Sequence, residues 1–190
     1  MGQPKIPSLG YALLGLLQPK PASGYDLRKI FSSTSMKTYS DSPGAIYPAL
    51  SRLEQLGLVR GTIQEGAGLR RRQVFRVTAK GLAELKKWIA KPITPQDLTR
   101  GGEEIMLRFA FSETAAGAAA SVELLMSLQT ALKTHVASLQ KEYEASHRFM
   151  PTSGRLAFES GVRGAEYFLQ WTEYALATYE KEARKKGRVS

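Results

Sequence analysis

The sequence predicts a mainly α-helical protein in two parts, and three observations support this. Apolar residues recur every three or four positions over most of the chain, a spacing typical of amphipathic helices. Residues 58–77 instead read as two short strands joined by a glycine-rich turn. Prolines and glycines interrupt the pattern between residues 92 and 102. We therefore expect a first domain of residues 1–91, a linker of residues 92–102, and a helical domain of residues 103–190.

Two short helices are predicted at the start of the first domain. The leucines from Leu9 to Leu17 form the first, which ends before Pro19. Ser23 can cap the second helix, whose apolar positions include Leu27 and Phe31. A fourth helix is predicted after the strands, at residues 79–90, with Thr78 as its cap.

The third helix, which begins at Ser42 and stops at Gly57, is the most informative part of the chain. Ser42 can act as its N-cap, and Pro43 occupies the first helical position, where a missing N–H costs nothing. One face carries the apolar residues Ile46, Leu50, Leu53 and Leu56. The opposite face carries small hydrogen-bonding groups, a tyrosine and an arginine: Ser42, Gly44, Tyr47, Ser51 and Arg52. Such a face suits a DNA major groove, and an ordinary surface helix is the alternative.

The predicted strands, residues 58–64 and 69–77, enclose the turn Glu65–Gly68. Three helices followed by a β-hairpin is the order of a winged helix-turn-helix domain. The hairpin, or wing, carries four arginines: Arg70, Arg71, Arg72 and Arg76. Arginines in a wing can bind phosphates or enter a minor groove, which we favour over a merely solvated run of charge.

Four segments of the first domain resemble the PadR family of bacterial transcriptional regulators. They are Leu14–Leu27, Gly44–Leu50, Leu53–Val59 and Phe75–Gly81, and the resemblance covers residues 8–90. The C-terminal region is similar in length and pattern to the larger, phenolic-acid-regulator-like branch of the family. The resemblance implies a homodimeric repressor with a helical, coiled-coil-like dimerisation domain and a small-molecule inducer.

The charge of the chain is concentrated in its first half. Residues 1–92 contain 15 Lys and Arg against 5 Asp and Glu, whereas residues 93–190 contain 12 of each kind. This asymmetry favours double-stranded DNA as the partner over a membrane surface or an acidic protein. The chain has no cysteine, and no apolar run approaches the ~18–20 residues that span a bilayer, so we expect a cytoplasmic protein.

No pattern of catalytic or metal-binding residues is present in the sequence. The two histidines, His135 and His147, do not have the spacing of a metal site. Gly66 and Gly68 lack the following Lys and Ser or Thr of a phosphate-binding loop. We expect a protein that is not an enzyme and needs no metal or cofactor.

We predict that the third helix contacts bases and that basic side chains around it contact phosphates. The base contacts are expected from Ser42, Gly44 and Tyr47, although the Tyr47 ring could instead pack between helices. The phosphate contacts are expected from Lys29, Arg52, Arg70, Arg71 and Arg72. The alternative function is a winged-helix adaptor that binds protein and has lost DNA recognition.

The second domain is predicted to contain two long helices, at about residues 113–147 and 155–186. Apolar residues recur on them at alternating spacings of three and four, which suits pairing within the chain or with a second chain. A lone winged helix reads few base pairs, which favours a dimer. The predicted dimer interface consists of Leu125, Leu132, Val162, Leu169, Leu176 and Tyr179.

An inducer is expected to bind where the winged domain meets the C-terminal helices, since ligand pockets often form between domains. Aromatic residues around the linker and on the long helices could line such a pocket, and a histidine could supply a polar contact. The candidate ligand-binding residues are Trp88, Phe109, Phe111, His135, Phe168 and Trp171. A small aromatic or amphipathic molecule is the expected ligand, and packing in a plain core is the alternative for each residue.

Overall fold

The computed structural model describes residues 6–34, 43–65, 71–100 and 102–186. Its elements in these ranges are α1 (Ser8–Leu17), β1 (Ala22–Ser23), α2 (Gly24–Ser33), α3 (Pro43–Gln55), β2 (Val59–Glu65), β3 (Arg71–Val77), α4 (Ala79–Ile89), α5 (Pro95–Arg100), α6 (Gly102–Ala116), α7 (Ala118–Ser146), a 3₁₀ turn (His147–Phe149) and α8 (Thr152–Lys186). The predicted fold class, a mainly α chain with a winged helix-turn-helix followed by long helices, is confirmed.

The chain divides into two compact units. The first runs to Ile89 and includes the short segment Thr114–Ala116. The second consists of residues 90–113 and 117–190. The stretch that the sequence predicts as a linker, residues 92–102, contains the helix α5.

The first unit is built around the apolar faces of its four helices. The spacing of apolar residues on α1, α2, α3 and α4 brings one stripe of each helix into a common core. Its fully buried side chains include Leu13, Leu14, Leu17, Leu27, Phe31, Ile46, Leu50 and Leu85. The predicted apolar face of α3 is therefore confirmed, and the opposite face of this helix is exposed.

A Schellman motif ends α3 and turns the chain directly into the wing. Gly57 has a φ of 70°, the left-handed conformation that glycine adopts without strain. The N–H of Leu58 donates to the carbonyl of Leu53 at 2.9 Å, and the N–H of Gly57 donates to that of Glu54 at 2.9 Å. Both terminal carbonyls are thereby satisfied, and β2 begins at Val59.

The wing is part of a three-stranded antiparallel sheet with the order β1–β3–β2. In the hairpin, Val59 pairs with Val77 and Glu65 pairs with Arg71. The third strand, β1, is the two-residue segment before α2, and Ser23 pairs with Val74. The sequence pattern does not predict β1, because two residues are too few to show an alternation of apolar and polar side chains.

Thr78 joins the wing to α4, as predicted. Its hydroxyl accepts a hydrogen bond from the N–H of Gly81 at 3.0 Å and donates to the carbonyl of Gly57 at 2.7 Å. The Thr78 N–H donates to the carbonyl of Leu58 at 3.0 Å. One residue therefore caps α4 and holds the turn between α3 and β2.

The second unit is a helical assembly in which α7 and α8 run antiparallel. Gln140 Nε2 donates to Glu166 Oε1 at 2.7 Å, and Gln129 Nε2 donates to Glu173 Oε1 at 3.5 Å. The core of this unit contains Ile93, Ile105, Leu124, Leu128, Ala131 and Leu132. Arg108 is also buried there, and its guanidinium donates to the carbonyl of Lys91.

Candidate nucleic-acid interface

The exposed face of α3 carries the residues that the sequence predicts for base contact, as far as they are described. Gly44, Tyr47 and Arg52 are exposed, whereas Ile46 and Leu50 on the other face are fully buried. Ser42 lies outside the described residues. The helix therefore presents a polar surface with one aromatic side chain and one cation near its C-terminal end.

Tyr47 is both packed against α2 and partly exposed, and the sequence left both possibilities open. Its ring lies against Gly24, the first residue of α2, so closely that a side chain at Gly24 would overlap it. The residue nevertheless remains 48% exposed. Packing thus orients the ring between two helices, and the exposed part of the side chain is available to a partner.

Ser23 and Asp26 form a capping box at the start of α2. The Asp26 carboxylate accepts from the Ser23 N–H at 3.0 Å and from its hydroxyl at 2.7 Å, while the Asp26 N–H donates to the Ser23 oxygen at 3.2 Å. Arg72 of β3 also approaches Asp26, with 3.9 Å between Nη1 and Oδ2. The hydrogen bonds from Ser23 lower the pKa of Asp26 below its ordinary value, and Arg72 adds to this effect.

Glu54 connects α3 to both strands of the wing. One of its carboxylate oxygens accepts from the Gly61 N–H at 2.7 Å, and the other accepts from Gln73 Nε2 at 3.5 Å. This role of Glu54 was not predicted from the sequence. A signal was available, because an acid in the last turn of a helix opposes the helix dipole and needs a specific donor nearby.

The predicted phosphate-binding residues that are described all lie on the surface of the first unit. Lys29 on α2, Arg52 on α3 and Arg72 on β3 are exposed. Arg71 starts β3, but its side chain lies outside the described residues, as does Arg70.

The predicted ligand-binding residues fall into two groups. Trp88 is in the first unit, where it is 7% exposed and stacks on Tyr11 with 4.2 Å between ring centroids. In the second unit, Trp171 contacts Phe109 edge-on at 5.4 Å and Phe168 at 5.7 Å. The remaining two candidates, also in the second unit, are partly buried: Phe111 and His135.

The residues of the predicted dimer interface are covered to different degrees within a single chain. Leu125 and Leu132 are 0% and 1% exposed, and Val162 is 8% exposed. Three others are partly buried: Leu169, Leu176 and Tyr179. The Tyr179 hydroxyl donates to Glu113 at 2.8 Å, and burial raises the pKa of this tyrosine.

Neither a metal site nor a membrane-spanning helix is found among the described residues. They contain no group of three or more His, Cys, Asp or Glu side chains that could hold a metal ion. Within the same ranges, no helix has the length and apolar character needed to cross a membrane.

The first unit is similar to a known family of proteins. The family model described as the transcriptional regulator PadR-like family matches residues 13–87, which include α2, α3 and the wing. Residues 13–87 are therefore a PadR-like region of the chain. A curated relative, the negative transcriptional regulator PadR of Bacillus subtilis, is 27% identical over 92% of this chain and 98% of its own length.

Two crystal structures of Bacillus subtilis PadR are among the similar solved structures. The complex with operator DNA is 24% identical, covers 92% of this chain and 99% of its own, and has a TM-score of 0.45. The complex with p-coumaric acid is 22% identical, covers 94% of this chain and 99% of its own, and has a TM-score of 0.39.

The capping box gives a prediction for this PadR-like domain. We expect Asp26→Asn to lower the free energy of unfolding at pH 7 by about 1 kcal/mol, as loss of a helix cap does. Because the folded state lowers the pKa of Asp26, this stabilisation is present above the unfolded pKa and is lost as the pH falls through the folded pKa. The difference between variant and unmodified protein should be constant from pH 7 to about pH 5 and shrink below about pH 4.

Urea unfolding at several pH values measures this difference. Arg72→Gln is the matched control, because it removes the ion pair and keeps the cap. An exposed pair contributes little, so we expect this control to lose less than about 0.5 kcal/mol. A gap between Asp26→Asn and the unmodified protein that persists unchanged into strong acid would contradict the role of the Asp26 charge.

Proposed function

We propose that this protein represses transcription by binding an inverted-repeat operator as a homodimer. A small aromatic or amphipathic molecule then releases the protein from the DNA. The observation that carries the proposal is the PadR-like family match over residues 13–87. The same part of the chain holds the excess of positive charge, with 15 Lys and Arg against 5 Asp and Glu in residues 1–92. Attraction to phosphate requires such an excess on the surface that meets DNA.

In this proposal α3 lies in the major groove and the wing contacts the DNA backbone beside it. The exposed Gly44 and Tyr47 approach base edges, and Ser42 does so at the start of the helix. Lys29, Arg52 and the arginines from Arg70 to Arg72 bind phosphates. The hydrogen bonds that Gly61 and Gln73 donate to Glu54 support the proposal, because they hold the wing at a set position relative to α3.

A gel-shift titration with the DNA upstream of the protein's own gene tests the DNA contacts. We expect Arg70→Ala, Arg71→Ala and Arg72→Ala, combined in one variant, to weaken binding to all sequences alike. The slope of log affinity against log salt should flatten by roughly 0.9 for each phosphate that the variant no longer neutralises.

The matched control removes three exposed arginines from the second unit, Arg148→Ala, Arg155→Ala and Arg184→Ala, and changes the net charge equally. Its slope should stay close to that of the unmodified protein. An unchanged affinity and slope in the wing variant would exclude the wing from the proposal. No shifted band at any protein concentration would favour the adaptor that binds protein.

The dimer is proposed to form through α8. Leu125 and Leu132 are already buried within one chain, so they would support the interface from beneath and would not meet the partner directly. Three large side chains on α8 are instead exposed: Leu156 at 55%, Tyr167 at 70% and Tyr174 at 71%. Their separations of eleven and seven residues place them on one face of the helix. This stripe suits a second copy of the chain.

Sedimentation velocity tests this interface. Tyr167→Ser with Tyr174→Ser removes four aromatic side chains per two-fold dimer. At ~1.5 kcal/mol for each, the dissociation constant should rise by at least about ten-thousandfold. Tyr25→Ser, which changes an exposed tyrosine of α2, is the control and should leave the dimer intact. A monomer at micromolar concentration for the unmodified protein would refute the dimer.

The inducer is proposed to bind at the aromatic residues Phe109, Phe168 and Trp171 of the second unit. Their mutual contacts at 5.4 and 5.7 Å supply apolar area for a planar ligand. Phe111 and His135, both partly buried, remain candidates for its further contacts. Release of DNA requires that the ligand favours a dimer geometry in which the two α3 helices no longer match the half-sites.

Tryptophan fluorescence tests this site, because the chain contains only two tryptophans. Trp88→Phe leaves Trp171 as the only reporter, and Trp171→Phe leaves Trp88 as the matched control. We expect p-coumaric acid and related phenolic acids to quench the first variant in a saturable way and to release DNA in parallel gel shifts. We expect Trp88→Ala to bind the ligand normally, and normal binding by Trp171→Ala as well would place the ligand elsewhere.

A further inference from the structure

One face of the wing sheet carries a basic groove that the proposed DNA contacts do not use. In the hairpin, Arg60 of β2 pairs directly with Arg76 of β3. Thr62, Gln64 and Val74 lie on the same face, because alternate residues of a strand point to the same side. Together with Pro21 these residues line a groove of about 480 Å³.

The opposite face of the sheet belongs to the core. Val59 and Phe75 are buried there, and Gly61 and Gln73 donate hydrogen bonds to Glu54 of α3. The groove is therefore on the side of the wing that does not pack against α3. This separates it from the predicted base contacts of that helix.

The charges in the groove are not balanced by neighbouring acids. Like charges directly opposite each other on a sheet are destabilising. Arg72, on the same face, has Asp26 at 3.9 Å. Arg60 and Arg76 form no salt bridge within the described residues, and no acidic side chain is among the groove's lining residues there. An oxoanion placed between the two guanidinium groups would turn a repulsive pair into an attractive one.

We propose that Arg60 and Arg76 bind a single oxoanion, a phosphate or a carboxylate group, in this groove. A guanidinium offers a planar pair of N–H donors that matches both groups. Thr62 and Gln64 add polar groups beside them, and the largely buried Val74 also lines the groove. The anion has two sources, a phosphate of bound DNA or a free small anion, and the DNA source rests on the proposed function.

Two measurements distinguish these sources, both with Arg60→Gln combined with Arg76→Gln. In the first, backbone amide NMR shifts are followed during titration with inorganic phosphate at constant ionic strength. In the second, the salt slope of DNA binding is measured. The control is Arg148→Gln with Arg155→Gln, which removes two exposed arginines elsewhere. All variants are first compared by circular dichroism.

Saturable phosphate shifts at residues 60–64 and 72–78 that the groove variant loses and the control keeps would establish a site for free anions. A salt slope that flattens by about 0.9 in the groove variant alone would establish one DNA phosphate at this site. If neither effect appears, the proposal is overturned. If the protein binds no DNA, the phosphate titration still tests the groove. Failure of the proposed function can therefore be distinguished from failure of the anion site.

A second variant that keeps both positive charges makes the test valid even if the double glutamine variant does not fold. Arg60→Lys with Arg76→Lys keeps both positive charges and removes the planar donor pairs. We expect it to keep the salt slope and to lose about tenfold in phosphate affinity. An unchanged phosphate affinity in this variant would overturn the paired-guanidinium site.

Discussion

A helix and a hairpin can meet one DNA site together only if their relative position is fixed. In this chain the Glu54 carboxylate makes that connection, because it accepts from the Gly61 backbone at 2.7 Å and approaches Gln73 on the neighbouring strand. A negative charge in the last turn of α3 opposes the helix dipole, and these donors offset that cost. The Schellman turn at Gly57 and the bonds of Thr78 then hold the short connection between helix and strand. The orientation of the wing depends on this small set of polar contacts.

Local patterns in the sequence were sufficient to predict most of the first unit. The spacing of Ile46, Leu50 and Leu53 predicts α3, and all three side chains are buried. The glycine at position 57 predicts the end of the helix, and its φ of 70° confirms the reason. The helix cap at Thr78 was likewise predictable from residue type and position. Each of these features depends on neighbours only a few residues away.

Features that depend on distant partners were not predictable in the same way. The strand β1 exists because Ala22 and Ser23 meet β3, more than 50 residues later. The apolar repeat on α7 predicts a buried face, but it does not say whether the same chain or a second copy covers it. Leu125 and Leu132 are covered within the chain. The stacking of Trp88 was not predictable for the same reason, since its partner Tyr11 lies near the other end of the first unit's sequence.

Ser23 performs two structural tasks at once, and this affects how such domains can be recombined. It pairs with Val74 in the sheet, and it also forms the capping box of α2 with Asp26. A chimera that takes only the hairpin from a relative would join a foreign strand to the native cap of α2. The part that must be exchanged together in a chimera is therefore larger than the wing. It includes the segment from Ala22 to Asp26 and also Glu54. Grafts between homologues that aim to exchange operator preference should therefore include all of these residues.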